Sequence, residues 1–177
     1  MMRNFPLSDV YTLLEPGPVV FLTTAHKGRA NVMTMSWHLM MEFTPPRIGC
    51  LVSGANHSFA ALRKTGECVI AIPAAGLAST VVAVGNASGR DLDKFEAFGL
   101  TPKPAKKVAA PLVAECLANL ECRVVDTRFV PKYNLFVLEV VQAWIDPAQK
   151  KAKTLHHHGY GTFVVDGETI HLKSKKP

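Results

Sequence analysis

The sequence predicts a mainly β fold with helices inserted in its middle, an antiparallel barrel or sandwich. Three observations carry this. Runs rich in β-branched and aromatic residues fill both ends of the chain. Turn signals join several of those runs directly, which leaves no room for the crossover helices of a parallel sheet. Apart from one short N-terminal helix, helical spacing is confined to residues 58–98.

Element by element, Ser8 is placed to cap a helix over Asp9–Leu14, which stops before Pro16. Pro18 opens a strand over Val19–Thr24, and His26-Lys27-Gly28 reads as a turn with glycine at the position needing φ > 0. Arg29–Met35 is the returning strand. Thr44-Pro45-Pro46 breaks the chain before another apolar strand, Arg47–Ser53. Ser58–Lys64 reads as a helix closed by Gly66. Cys68–Ile72 is a strand whose alternate residues can serve two faces. Leu77–Val84 fits a helix or a strand, because short apolar runs do not separate the two. Asp91–Phe98 reads as a helix, with Asp91 and Asp93 in its positive first turn, Leu92 and Phe95 as an apolar pair, and Gly99 as the stop. Pro102–Pro111 is a basic, proline-rich surface connection. Ala118–Val130 and Tyr133–Ile145 are two long β runs joined at Pro131-Lys132. A last hairpin is expected from Thr162–Val165 through the turn Asp166-Gly167 to Glu168–Leu172, since Asp-Gly favours two-residue hairpins. Residues 173–177 read as a frayed tail.

The 177 residues suit one domain spanning the whole chain and suffice for a core without staples. Hydrophobic residues make up 48% and charged residues 19%, a globular composition. The formal net charge is +6, which invites a polyanionic partner. Its location argues otherwise. Residues 1–149 carry a net charge of +2 and residues 150–177 a net charge of +4. The lysines at 150, 151, 153, 173, 175 and 176 have only Tyr160 and Phe163 near them as aromatics, and no motif for single-stranded nucleic acid is present. No nucleic-acid partner is expected. The most apolar stretch, 67–84, is interrupted by Pro73 and Gly76, so no membrane helix is expected. Met1–Pro6 lacks the apolar core of a secretory signal. Cys50, Cys68, Cys116 and Cys122 have no CxxC spacing and lie in apolar stretches, which points to reduced thiols and a cytoplasmic protein.

Four constellations carry potential chemistry. Asn31-Val32-Met33-Thr34-Met35-Ser36-Trp37 follows a strand and offers amides, hydroxyls and a large ring, suited to lie along a flat heteroaromatic ligand; an ordinary strand end with a buried tryptophan has the same composition. Ser53-Gly54-Ala55-Asn56-His57-Ser58 precedes a helix, where unpaired N–H groups and the helix dipole attract an anion; plain capping by Asn56 or Ser58 is the alternative. Ser88-Gly89-Arg90, followed by Lys94, places two cations at i, i+4 beside a tight turn if the helix extends back to Arg90; the alternative pairs them with Asp91 and Asp93 on a solvated face. His156-His157-His158-Gly159-Tyr160-Gly161 puts successive imidazoles on opposite faces of a strand, so no metal site is expected. His158, beside two glycines, is the candidate for a role in a pocket and for any catalytic side chain. Neither GxSxG nor GxxxxGK[ST] occurs, and no paired carboxylates stand out. The chain is better suited to hold a cofactor that does the chemistry.

Taken in order, these segments resemble the flavin reductase-like family, especially its flavoredoxin branch. The resemblance rests on Pro18–Thr24, Gly28–Trp37, Pro45-Pro46, Arg63–Ile70, Ser88–Phe95, Ala110-Pro111 and Leu120–Val124, and spans residues 10–165. It implies an antiparallel Greek-key split β-barrel that binds FMN, and a homodimer with the flavin near the subunit interface. It implies FMN contacts from Asn31, Met33, Thr34, Met35, Ser36 and Trp37, from Ser53, Gly54, Ala55, Asn56, His57 and Ser58, and from Ser88, Gly89, Arg90 and Lys94. The implied activity is hydride transfer from NADH or NADPH to flavin N5, with electrons passed to free flavin, a metal complex or a partner protein. An FMN-bound electron carrier without NAD(P)H activity is the other implied role. Many relatives have Ser-Thr before the phosphate helix, whereas this chain has His57-Ser58-Phe59, which removes a hydroxyl.

Overall fold

The computed structural model describes residues 1–173. In chain order its elements are β1 (Arg3–Phe5), α1 (Tyr11–Leu14), β2 (Val20–His26), β3 (Arg29–Met35), β4 (His38–Phe43), β5 (Pro46–Leu51), α2 (His57–Thr65), β6 (Glu67–Ile72), α3 (Ala78–Asn86), α4 (Lys94–Ala97), β7 (Pro102–Lys103), β8 (Leu112–Val113), β9 (Ala118–Asp126), α5 (Val130–Tyr133), β10 (Leu135–Ile145), β11 (Leu155–Gly159) and β12 (Thr162–Val165). The main sheet runs β3-β2-β6-β9-β10-β5-β4, with β1 added on β10. Every strand pair is antiparallel. The non-consecutive neighbours β2·β6, β6·β9 and β10·β5 are the over-connections of a Greek-key barrel. Its two edge strands, β3 and β4, are consecutive in the chain and joined only by Ser36 and Trp37. The sheet therefore curls until its edges meet at that step, which is where the barrel is split. The His38 ring sits across the step, its Nε2 2.7 Å from the Pro18 carbonyl.

Strand alternation sorts the side chains into two cores. Val20 and Leu22 of β2 and Cys68, Ile70 and Ile72 of β6 point into the barrel, where they meet Ile48, Leu120, Phe136 and Leu138. Phe21 of β2 and Val69 and Ala71 of β6 point outward, against Val81 and Val84 of α3, Phe95 of α4 and Leu112. The two faces foreseen for Cys68–Ile72 are both used. All four cysteines are buried free thiols. Among the described residues no helix is long and apolar enough to cross a membrane.

Several expected elements differ. The N-terminal helix shrinks to one turn of 3-10 helix, Leu7–Asp9, followed by α1, and Ser8 caps neither. At the β2–β3 turn Lys27 (φ 51°) and Gly28 (φ 75°) are both left-handed, the geometry that matches strand twist. β4 had no counterpart in the sequence reading, because Leu39, Met41 and Phe43 are exposed apolar side chains and a bulge after Met40 breaks the alternation of the strand. The ambiguous 77–84 stretch is helical. The helix expected over Asp91–Phe98 is a single turn from Lys94, because the Asp93 carboxylate caps it by accepting from the Phe95 and Glu96 N–H groups. Asp91 and Leu92 lie before that turn. The last hairpin pairs β11 with β12 around Tyr160-Gly161, both at positive φ. Asp166 is not its turn residue. Its carboxylate instead accepts from the Thr154 N–H and hydroxyl and pairs with His156 at 2.6 Å, locking the base of the hairpin. Within the expected tail, residues 174–177 lie outside the described residues.

Candidate cofactor-binding site

Three cavities meet at Thr34, on the last turn of chain before the split. The first, about 350 Å³, runs along Met33–Trp37 and is closed by Ser53, Asn56, Tyr133 and Asn134. The second, about 250 Å³, lies between Thr34–Ser36, the Val81–Asn86 face of α3 and the β11–β12 hairpin. The third, about 210 Å³, is the polar end, lined by Asn31, Ala55–Ser58, Ser88–Arg90 and Lys94 among others. Segments separated by more than a hundred residues in sequence thus form one continuous cleft.

The polar end gathers N–H donors and positive charge. Asn56 occupies the capping position of α2, yet its side chain makes no capping bond. Ser58 is not a cap either: its Oγ accepts from Asn31 Nδ2 at 2.8 Å, tying β3 to the start of α2. The first-turn N–H groups of a nine-residue helix therefore face the cavity without a side-chain cap. Lys94 is 5% exposed. One of its three donors reaches the Val84 carbonyl at 2.8 Å, and no carboxylate pairs with it among the described residues. Burial holds its pKa below that of a free lysine. Arg90 is held at the rim by a 3.2 Å bond to the Ala55 carbonyl. Arg90 and Lys94 do not share a helical face, as α4 starts only at Lys94, but the turn at Ser88–Arg90 brings both to the same cavity. The alternative pairing with Asp91 and Asp93 is not formed. Desolvation, followed by the charges of Arg90, Arg29 and Lys94, pushes the His57 pKa down.

Gly89 is required by contact. A Cβ there would stand 2.0 Å from Asn31 Oδ1 and 2.9 Å from His57 Cδ2. Gly89→Ala should displace Asn31, break its bond to Ser58 and weaken anion binding at least about tenfold, at a stability cost of about 1–3 kcal/mol. Phosphate-dependent ligand titration together with urea unfolding checks this.

The ring end differs in character. Thr34 Oγ1 donates to the Val81 carbonyl at 2.7 Å, fixing the strand end against α3. Trp37 is 69% exposed, so it is not the buried tryptophan of an ordinary strand end. Met33, Met35, Ser36 and Ser53 complete a flat, largely apolar wall. Of the residues singled out from sequence for cofactor contact, all but Gly54 line these three cavities; Gly54 lines a neighbouring chamber. His158 lines none of them. Strand alternation turns His157 toward the cleft instead, with its ring 5.1 Å from that of Phe163. Sequence reading also missed Tyr133 and Asn134, Val81–Asn86 and Phe163. Asn134 carried a usable signal, since it ends α5 in the left-handed conformation (φ 55°) that asparagine tolerates.

This open barrel with a cleft at its split edge is the fold of FMN-binding split-barrel domains. A domain of an FMN-binding flavin reductase-like enzyme from Shewanella baltica matches with a TM-score of 0.90 and 26% identity, over 98% of both chains. The flavoredoxin of Desulfovibrio vulgaris shares the fold at a TM-score of 0.81 and 21% identity, over 90% of this chain and 91% of that one. The flavin reductase-like domain profile matches residues 13–163. Escherichia coli YddH is 34% identical over 96% of this chain and 98% of its own length. The chain belongs to the flavin reductase-like domain family.

Proposed function

We propose that the protein binds FMN in this cleft and works as an NAD(P)H-dependent oxidoreductase. The observation that carries the reading is Lys94, a buried ammonium with spare donors and no carboxylate partner among the described residues, in a polar cavity that opens onto an apolar wall. When bound, FMN supplies the redox chemistry, accepting hydride from NADH or NADPH and handing electrons to free flavin, a metal complex or a partner protein. The chain's part is placement. Lys94, Arg90 and the first turn of α2 hold the phosphate, and Asn31 and Ser58 keep that turn in position. Thr34–Trp37 supply the shelf for the ring, and the backbone of this segment is available to donate toward its polar edge. The second cavity, beneath His157 and Phe163, leaves room for a planar donor or acceptor beside the shelf. The visible spectrum of the purified or FMN-reconstituted protein tests the core of this: a flavin spectrum is expected, and a colourless protein that fails to take up added FMN overturns it. Anaerobic stopped-flow mixing with NADH and NADPH tests the rest. Bleaching is expected; flavin that stays yellow with both donors assigns the protein to electron carriage.

The reading includes a homodimer. β4 is an edge strand with Leu39 (51%) and Met41 (49%) exposed over Gly49 beside Trp37, an apolar strip that invites a second copy. Met41→Lys keeps an aliphatic stem over Gly49 while placing a charge in the strip. Light scattering should show a dimer for the parent and a folded monomer for the variant.

A further inference from the structure

Outside the polar end lies another chamber, about 590 Å³, against the β2–β3 hairpin. Asn31, Asn56, His57, Gly89 and Arg90 line both spaces, Arg90 as a cation at their shared boundary, and the tight contact of Asn31 with Gly89 forms a partition between them. The outer chamber is cationic. Lys27, Arg29 and Arg90 line it against one acid, Asp93, whose carboxylate is already committed to the Phe95 and Glu96 N–H groups. None of the three cations makes a salt bridge among the described residues. Thr24 is the second, independent observation. It lines the chamber, is 1% exposed, and its hydroxyl has no hydrogen-bond partner. Buried hydroxyls are nearly always satisfied, so this one is a donor left unused at the chamber wall.

We propose that this chamber is a second ligand site, distinct from the flavin site, for an organic phosphate of mononucleotide size. An arginine fork, a lysine and a buried hydroxyl are the donor set that recognises phosphate. The volume exceeds what a bare phosphate fills and falls within the range of about 300–1,000 Å³ typical of small-molecule sites. The imidazoles of His26 and His57 and the apolar Ala60, Ala61 and Leu92 offer surfaces for the organic part. Its separateness rests on the reading that flavin phosphate occupies the inner cavity.

The test is calorimetric titration of 5′-AMP into FMN-saturated protein, with adenosine and inorganic phosphate as comparison ligands. One equivalent of AMP should bind, and adenosine should bind at least about tenfold more weakly because the charged contacts are lost. Thr24→Val, nearly isosteric and relieved of an orphan hydroxyl, should fold normally, weaken AMP about fivefold and leave FMN affinity within about twofold. Arg29→Ala, at an exposed strand end, should weaken AMP more than FMN. The proposal is overturned if AMP does not bind, if AMP displaces FMN, if adenosine binds equally well, or if both variants leave AMP unchanged. A protein that rejects FMN yet binds AMP with this pattern defeats the flavin reading and upholds the second site.

Discussion

Lys94→Met should lower FMN affinity ten- to a hundredfold, the equivalent of about 1.5–3 kcal/mol for a hydrogen bond to a charged group in a dry site. The lysine is 5% exposed and spends one donor on the Val84 carbonyl, so the remaining donors and the full charge are available to the ligand. Methionine fills a similar volume. The fold should survive, with the Val84 carbonyl losing its partner at about 1 kcal/mol. Riboflavin, which lacks the phosphate, should bind parent and variant alike. Equal weakening of FMN and riboflavin would mean that Lys94 shapes the junction of α3 and α4 and supplies no counter-charge. The pH dependence carries the same signature. Burial lowers the Lys94 pKa, so its contribution to anion binding is complete below that lowered value and lost as pH rises through it. FMN affinity of the parent should therefore decline at alkaline pH earlier than an ordinary lysine allows, and the variant should lack that limb of the profile.

Much of the cleft was legible because its parts are local. Ser88-Gly89-Arg90 is a tight turn closed by the Arg90 and Asp91 N–H groups on Ser88, and Ser53–Ser58 is a loop entering a helix; both leave marks in a few adjacent letters. What failed depended on distant partners. Arg90 and Lys94 meet at one cavity through a turn and a separate helix start, and only the Asp93 cap, a competition between two possible first turns, decides that. His157 replaces His158 at the cleft because the hairpin turns at Tyr160-Gly161 and not at Asp166-Gly167. The Asp-Gly signal was sound as local chemistry, but the Asp166 carboxylate is drawn to His156 and Thr154, which no local rule contains. β4 was invisible for a related reason. Its exposed apolar side chains follow no in-and-out pattern, and the bulge after Met40 breaks the period of two.

Glu121→Ala should be the most destabilising single change in the molecule outside the cleft, about 3–5 kcal/mol by urea unfolding. Glu121 lies in β9 between β6 and β10 and is fully buried. Its carboxylate accepts from the Trp144 indole at 2.7 Å and from the backbone N–H groups of Lys106 and Lys107. One acid on the outer face of the sheet thus holds down the basic 102–111 connection, which the sequence presented only as surface. The same connection is fastened by the Ala109 N–H to Glu67 and by Arg123 to the Lys107 carbonyl, and its own Ala105, Val108 and Ala110 join the outer core with Leu100 and Val113. Alanine leaves three donors without an acceptor and frees the loop to lift. Trypsin should then cut the variant after Lys106 or Lys107 under conditions where the parent resists. Glu121→Gln separates charge from shape. Its amide still offers an oxygen but turns a donor toward N–H groups, so an intermediate loss is expected, about half that of alanine. If glutamine were as stable as the parent, a neutral acceptor would suffice and the carboxylate charge would contribute nothing.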